Sequence, residues 1–433
     1  MTGGCSIDSL QEGKKMKSVS IPSRLWYENQ ERELTFPDRW EVDDLNPPGF
    51  EKPGMSAEQI RERINHPLEG PPLEEIAAGK KQAIIVIDDM SRPTPASQIA
   101  PHILNCLLRA GLKKDQIRFL WALGAHGTHD LIHARKKLGE EVVENYPVYN
   151  HDPFQNTVRV GRTRTGVEIW LNREFMACDL KIGIGCVAPH VQVGFSGGAK
   201  IVLPGVAGIE SINQFHNQFY RDRARVGLGT FATNLMLAES DAAGEMVGLN
   251  FKVDCLVNRR GEMTHLYAGP FRATHKAGAE EGMEHYGIPH SAGYDLVISN
   301  GYGRANESAV GLFFALQLIK RKEGTVVMIS DVPEGQIPHY VMRAWGSDYG
   351  GRHYAPRPKG YLQRLMKKLI VMAPYPDRTG IDLLCHMEDA TFVKTWPEVL
   401  AILEKDFPGP ARVGVIQDAT MQYMKPPPSQ PKL

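Results

Sequence analysis

The 433-residue sequence has little of three features that would narrow its partners: an excess of one charge, long apolar runs and paired cysteines. Lysine plus arginine equals aspartate plus glutamate, at 50 each, which argues against nucleic acid as the main partner. No segment reaches the roughly 18 apolar residues of a membrane span, and no signal-peptide core opens the chain. We therefore expect a soluble, cytoplasmic protein without a membrane partner. The cysteines form no CxxC pair and are expected to be reduced, mostly buried thiols. They are Cys5, Cys106, Cys178, Cys186, Cys255 and Cys385.

Three common catalytic signatures are also missing. A P-loop needs glycine before its lysine and Ser or Thr after it, but Ala199 and Ile201 flank Lys200. No GxGxxG opens a helix after the first predicted strand, which disfavours a nicotinamide dehydrogenase. No HExxH is present, which disfavours a histidine-rich metallohydrolase, although the chain has 15 histidines. A nicotinamide dehydrogenase and a histidine-rich metallohydrolase remain weaker alternatives.

What the sequence does contain is typical of an α/β enzyme, with 42 glycines and 30 prolines for many connections. The apolar run 82–87 predicts a buried parallel strand, and Asp89 and Arg92 follow its end. A second strand, predicted over 117–122, ends in a loop with His126 and His129. Open α/β sheets place their sites at such strand ends. Taken singly, Asp89 could be a helix cap and Arg92 a surface ion-pair partner.

The most informative stretch is 183–216, which joins two histidines, a Ser-Gly-Gly turn and a lysine. His190 precedes Lys200 by ten residues, and His216 follows Lys200 by sixteen. Successive glycine N–H groups leading into a helix can bind an anion, phosphate being the usual one. A Gly-Gly turn alone is more often only a turn, and a lone histidine more often a core residue. Their grouping favours a functional site.

The second half of the chain repeats the strand-and-loop pattern. Strands are predicted over 294–299, 325–330, 369–373 and 412–417, and a helix over 310–320. Residues 287–293 are interpreted as a hinge, residues 1–55 as an arm, and residues 421–433 as a tail. The predicted domains are 1–288, which contains the motifs described above, and 289–433, which begins at the hinge.

The motifs DDMSRPTP, ALGAHG and above all PHVQVGFSGGAKIVLPG, followed by His216, resemble the lactate racemase family. These enzymes are racemases and epimerases of 2-hydroxy acids that depend on a nickel-pincer nucleotide. The resemblance covers about residues 20–420. It implies two α/β domains with parallel-rich sheets and an active site in the cleft between them. It also implies cofactor-building and nickel-insertion enzymes as partners.

The resemblance assigns the cofactor to the central stretch. Lys200 matches the lysine that holds the pincer nucleotide covalently through a thioamide. His216 matches the histidine that completes the nickel coordination. Ser196, Gly197 and Gly198 lie where the family's glycine-rich turn cradles the cofactor.

The resemblance assigns the substrate chemistry to both loops. His126 and His190 match the paired acid/base histidines, and Asp89 and Arg92 match the first-loop acid and the arginine facing the substrate carboxylate. Hydride removal from C2, with a base taking the hydroxyl proton, gives a planar keto acid that can be reduced on either face. One acid/base group per face is then the minimum. A non-catalytic cofactor carrier remains an alternative, but it need not keep both histidines.

The sequence departs from the lactate-specific members in one loop. Those members carry a tyrosine, a glutamine and a lysine after the first strand of the second domain. Here the loop 300–308 reads NGYGRANES, without a clear counterpart of the lysine. We therefore expect a substrate larger than lactate, with Arg304 as a second cation, Asn306 and Glu307 binding hydroxyls, and Phe313 or Phe314 lining the pocket.

Overall fold

The computed structural model describes residues 16–221, 225–342, 358–381 and 385–426. Cys5 and residues 427–433 of the predicted tail lie outside this part. The five cysteines within it are all buried free thiols, as expected. No helix in the described ranges is long and apolar enough to cross a bilayer.

Two parallel-rich sheets organise the chain. The strands are β1 (Met16–Ser23), β2 (Gln30–Pro37), β3 (Glu41–Leu45), β4 (Ala83–Asp88), β5 (Ile117–Ala122), β6 (Val148–Asn150), β7 (Thr157–Arg162), β8 (Glu168–Asn172), β9 (Leu180–Cys186), β10 (Pro189–His190), β11 (Gly194–Phe195), β12 (Phe251–Val257), β13 (Met263–Gly269), β14 (Gly287–Ile288), β15 (Leu296–Asn300), β16 (Thr325–Ile329), β17 (Lys368–Met372), β18 (Ala390–Val393), β19 (Arg412–Ile416) and β20 (Tyr423–Met424). The α-helices are α1 (Ala57–Asn65), α2 (Leu73–Ala77), α3 (Ala96–Arg109), α4 (Leu131–Leu138), α5 (Glu140–Asn145), α6 (Arg173–Ala177), α7 (Ile209–Arg221), α8 (Leu235–Val247), α9 (Phe271–His285), α10 (Leu312–Leu318) and α11 (Trp396–Asp406).

The first sheet has the order β13-β12-β9-β4-β5-β6, and only the β12–β13 pair is antiparallel. Its central strands β4 and β9 are almost wholly buried, as their continuous apolar sequences predict. Helix α3 packs Ile99, Ile103 and Leu107 into the core on one side. These spacings of four place the three side chains on one helical face.

The second sheet has the order β18-β17-β16-β15-β19-β3 and is parallel throughout. Its strand β3 comes from the N-terminal segment, in which Val42 pairs with Val413 of β19. Part of the predicted arm is thus an edge strand of this sheet. The domain boundary after residue 288 remains a prediction.

Local sequence signals account for several element ends. Ser56 caps α1, its hydroxyl accepting from the Gln59 N–H while the Gln59 side chain accepts from the Ser56 N–H. The Ser56…Gln59 spacing is the usual sequence pattern of such a capping box. Strands β12 and β13 form a hairpin with Gly261 in its turn, where Gly261 has a φ of +73°.

Candidate active site

One cavity lies where loops from both sheets meet. The loops after β4, β5 and β9 reach it from the first sheet, and those after β15 and β16 from the second. All five loops follow the carboxyl ends of parallel strands, the usual position for sites in open α/β sheets. The walls enclose about 920 Å³, part of it open to solvent. Of the residues predicted for the site, Asp89, Arg92, His126, His190, Ser196, Gly197, Lys200 and His216 line it.

Asp89 and His126 form a close polar contact in the site. The Asp89 Oδ2 lies 2.5 Å from Nδ1 of His126, and its Oδ1 accepts from the Ser91 N–H and hydroxyl. Burial alone would raise the pKa of Asp89, but the adjacent His126 holds it well below the usual range. The ionised carboxylate keeps a proton on Nδ1, so Nε2 is the nitrogen at which the ring exchanges a proton.

Two arginines from the two halves converge on one carboxylate. Arg92 Nη1 lies 3.3 Å from Glu307 Oε2, and Arg304 Nη2 bonds to the same oxygen. His126 Nε2 lies 3.5 Å from the other oxygen of Glu307. Burial would raise the pKa of Glu307, but Arg304, His126 and Arg92 hold it well below its usual range. The cavity therefore contains an ionised carboxylate between two guanidinium groups.

His190 has the opposite tautomer from His126. Its Nδ1 accepts from the backbone N–H groups of Gln192 and Val193, at 3.2 and 3.3 Å. Burial, followed by the positive charges of Lys200 and Arg92, holds the pKa of His190 well below 6.5. The ring is therefore neutral at physiological pH and carries its proton on Nε2.

Lys200 lies in a 3-10 helix, Gly198–Ile201, directly after the glycine turn. Desolvation and the nearby charges of Arg92 and Arg304 lower its pKa from 10.5 to about 7. A large fraction of the side chain is then an unprotonated amine at neutral pH, which is the nucleophilic form of lysine.

The glycine turn differs from the phosphate cradle expected from the sequence. The Gly198 N–H donates to the Asp254 carboxylate at 2.9 Å, and the Ser196 N–H to the Ala188 carbonyl at 2.8 Å. These two donors are used inside the protein and are not presented to an anion. Gly198 is also not among the described residues that line the cavity. Gly197 is needed for close packing, because a Cβ there would lie 2.7 Å from Val187 Cγ2.

His216 on α7 lines the cavity opposite the loops. Its Nδ1 lies 2.8 Å from the Ile212 carbonyl and therefore donates to it, leaving the lone pair on Nε2. The His339 ring lies 5.5 Å from the His216 ring and 5.2 Å from the His126 ring, measured between centroids. Three imidazoles from α7 and two loops thus meet at this wall.

Sequence reasoning missed two residues of the site. The sequence gives no indication that His339 belongs to the site, because the segment before it has no helix or strand periodicity. In the structure, its pairing with His126 places it at the cavity. Lys137 is fully buried and donates to the carbonyls of Asp89 and Arg92, while it pairs with Asp88 at 2.8 Å. It fixes the shape of the first loop, yet in the sequence it is one lysine in a basic helix.

The second-half loop only partly follows the sequence-based expectations. Arg304 and Glu307 line the cavity, but Asn306, Phe313 and Phe314 are absent from its described walls. Phe314 packs in the core below, at 1 % exposure. Val310 and Met342 supply the apolar wall instead, so the expected role of the phenylalanines is wrong. His129 is likewise behind the wall, where its Nε2 accepts from the Met90 N–H at 3.3 Å.

Comparison with known proteins points to one family. Residues 27–227 match the family model for the lactate racemase N-terminal domain. A curated protein of Lactiplantibacillus plantarum, named lactate racemase, is 27% identical over 286 residues, covering 64% of this chain and 66% of the relative. Another of that name, from Thermoanaerobacterium thermosaccharolyticum, is 28% identical over 235 residues, covering 54% and 55%. The matched segments thus span less than two thirds of each relative's length.

Solved structures show the same fold over nearly the whole chain. The lactate racemase apoprotein from Thermoanaerobacterium thermosaccharolyticum matches with a TM-score of 0.71 and 21% identity, covering 95% of this chain and 100% of that one. A Thermotoga maritima protein matches with a TM-score of 0.61 and 16% identity, covering 86% and 99%. At these identities the likeness concerns the fold alone.

Proposed function

We infer that the chain is a member of the lactate racemase family, and from that premise we propose that it interconverts the configuration at C2 of a 2-hydroxy acid. One observation carries the proposal: a single cavity contains two histidines of opposite tautomer together with two arginines. The histidines suit proton exchange with a hydroxyl group. The arginines suit a carboxylate.

The residues present fit the nickel-pincer nucleotide that the family implies. The lone pair of His216 lies on Nε2 because Nδ1–H is donated to a carbonyl, which is the usual arrangement of a metal-binding histidine. Lys200 has a pKa of about 7, so its amine can form a covalent bond. We propose that Lys200 anchors the cofactor and His216 binds its nickel, with Ser196 and Gly197 forming part of the wall beside them. When bound, this cofactor supplies the acceptor and donor for the hydrogen on C2.

The side chains of the protein supply orientation and proton transfer. Arg92 and Arg304 hold the substrate carboxylate, which has to compete with Glu307 for them. His126 accepts the hydroxyl proton at Nε2, and Asp89 and Glu307 stabilise the positive charge that the ring then acquires. His190 donates a hydrogen bond from Nε2–H to the keto oxygen from its own position in the cavity, and it returns a proton only after its ring has taken up a second proton at Nδ1, which breaks the bonds to two backbone N–H groups. Histidines at two positions allow proton exchange on either face of the planar keto acid.

For the substrate, we propose a 2-hydroxy acid larger than lactate, such as a sugar acid. Arg304 and Glu307 both line the cavity, so the loop that lacks the family lysine supplies a second cation and an acceptor for hydroxyl groups. Chiral chromatography of products from a panel of 2-hydroxy acids tests this. Lactate having the highest kcat/KM of the panel would contradict it.

Covalent loading tests the cofactor assignment. Protein produced together with the cofactor-building and nickel-insertion enzymes should carry an adduct on the peptide that contains Lys200, detectable by mass spectrometry. Lys200→Ala should abolish the adduct, and His216→Ala should lose nickel while the fold survives. An adduct on another lysine would overturn the assignment. A protein that is fully loaded but inactive on the whole panel would be a carrier.

A further inference from the structure

A second group of metal-ligand side chains lies outside the cavity, between β13 and α9. His265 is on β13, and Glu281 and His285 are four residues apart on α9, so they share one helical face. One nitrogen of each histidine and one carboxylate oxygen lie within 4.8 Å of one another. The proposed function uses none of these residues.

His285 lies on the buried side of the group and has one ring nitrogen available to bind a metal ion. It is fully buried, and its Nε2 lies 2.9 Å from the Val257 carbonyl, to which it donates. Its Nδ1 is buried without a hydrogen-bond partner among the described residues. Because Nε2–H is donated to the carbonyl, Nδ1 of the neutral ring carries the lone pair. A buried nitrogen with no partner is costly unless something binds it.

His265 has a matching tautomer. The Thr264 hydroxyl lies 3.3 Å from the Leu256 carbonyl and 3.0 Å from Nδ1 of His265. When the hydroxyl donates to the carbonyl, its oxygen accepts from Nδ1–H of His265. The lone pair of His265 is then on Nε2, which lies 3.5 Å from Glu281 Oε1. A lone pair and a carboxylate oxygen face each other, and both are acceptors. This arrangement calls for a cation between them.

Lys52 supplies only part of the positive charge. Its ammonium lies 2.7 Å from Glu281 Oε1, and its side chain is 40% exposed. A flexible, half-exposed lysine can swing into solvent when another cation binds. His265 also forms part of the wall of a surface groove between α1 and β13, so an ion can reach the group from solvent.

We propose that His265, Glu281 and His285 bind one divalent ion of the zinc type, displacing Lys52. Two imidazoles and a carboxylate are the ligand set of a three-residue zinc site that keeps one position open. Both histidines donate their second nitrogen to a protein acceptor, as metal-binding histidines do. The ion joins β13 to α9.

Cobalt titration of the full-length, chelator-stripped protein tests the site. One equivalent of Co²⁺ should give the visible absorption of a tetrahedral site and be displaced by Zn²⁺. His265→Gln and Glu281→Gln should weaken binding by roughly tenfold or more. Lys52→Met should bind more tightly, a gain that misfolding cannot produce. Thermal unfolding should shift upward with Zn²⁺ in the wild type.

Two controls separate this site from others. His66→Gln removes an exposed histidine that pairs with Glu62 at 3.3 Å, and it should leave the cobalt spectrum unchanged. His216→Ala should also keep the band, because that histidine lies in the main cavity. A band that survives in both His265→Gln and Glu281→Gln, or that disappears in His216→Ala, would overturn the proposal.

Discussion

At the scale of single residues, hydrogen bonding sets the two cavity histidines in different states. Asp89 fixes the His126 proton on Nδ1, whereas two backbone N–H groups keep Nδ1 of His190 as an acceptor. In this state His126 exchanges a proton at Nε2, whereas His190 is neutral and serves as a hydrogen-bond donor. To exchange a proton with the substrate, His190 must take one on Nδ1 and give up its two long hydrogen bonds. The two directions of the proposed reaction therefore start from unequal protein states.

Replacing either histidine should impair both net directions, because the cycle uses each of them. We expect His126→Ala and His190→Ala to lower kcat by roughly 10²–10⁴-fold, the usual effect of losing a positioned acid or base. Initial rates from each enantiomer, measured on cofactor-loaded protein, check this. His129→Ala is the control, because His129 lies behind the wall and should retain most of the activity. A nearly silent His126→Ala would refute the assignment of the base.

Lys200 should make the stability of the apoprotein depend on pH. Its folded pKa of about 7 lies below the ordinary 10.5, so the unfolded chain binds more protons between these values. The free energy of unfolding should then rise with pH across this window. Lys200→Met removes this pH dependence. The Tm of the variant should therefore exceed that of the wild type most below pH 7, and the difference should become smaller toward pH 10. Lys276→Met, at an exposed position, should show no such change. A constant gap for Lys200→Met would contradict the depressed pKa.

The sequence revealed those site residues that follow a recognisable strand. Asp89, Arg92 and His126 come directly after apolar runs, and this position predicted their place at the sheet edge. The tautomers were not predictable, because they depend on carbonyl and carboxylate groups that tertiary packing brings close. The same holds for Lys137, whose partners lie more than forty residues away.

At the scale of elements, we expect the turn before Lys200 to be rigid, because the backbone at Gly197 is packed too closely for a side chain. Gly197 has a φ of +96°, and an added Cβ would lie 2.7 Å from Val187 Cγ2. Gly197→Ala should cost about 1–3 kcal/mol in backbone strain, plus the clash. It should also lower covalent loading of Lys200.

Gly166→Ala is the matched control, because Gly166 has a φ of +97° and no atom within 4 Å of the added Cβ. Gly166→Ala should lower the free energy of unfolding through backbone strain alone, without a steric clash of the added Cβ. Urea unfolding of both variants, with mass spectrometry of the loaded proteins, separates the two costs. Equal destabilisation by the two substitutions would show that packing around Gly197 is not limiting.

Elements with a strong period or a buried apolar run were predicted well. The strand over 117–122 has the predicted bounds, and α9 begins two residues before its predicted start at 273. Helix α11 was missed although Thr395 and Glu398 form a capping box there. The capping-box residues are visible in the sequence, but the short segment after them has no clear helical period of apolar residues. The sequence EVDDL does not predict strand β3, because it has no apolar run. The segment forms a strand by pairing with β19.

At the scale of the whole molecule, the second half completes the cavity. Tyr340 N–H donates to the Ala125 carbonyl, and the loops after β5 and β16 pair at His126 and His339. The ion pair between Arg92 and Glu307 joins the two halves inside the cavity. The sequence predicted that both halves contribute, through the resemblance to the family. It could not predict that a carboxylate of the protein lies between the arginines.

Glu307→Gln should therefore strengthen the binding of a carboxylate substrate while slowing turnover. The substitution keeps the shape of the side chain but removes the charge that competes for Arg92 and Arg304. We expect KM for 2-hydroxy acids without further hydroxyl groups to fall roughly tenfold, equivalent to about 1.4 kcal/mol. The kcat should fall as well, because His126 loses one of the two carboxylates that stabilise its positive charge.

Steady-state kinetics over the substrate panel, with calorimetric binding of a non-reacting carboxylate, separates these effects. Asp331→Asn is the matched control, because Asp331 pairs with Arg32 near the same loop but outside the cavity walls described here. It should leave KM unchanged. If Glu307→Gln instead raises KM, and does so only for polyhydroxylated acids, then Glu307 accepts a substrate hydroxyl and its competition for the arginines is minor. In that case the wild-type carboxylate is retained for substrate selection, because only a substrate with additional hydroxyl groups can use it.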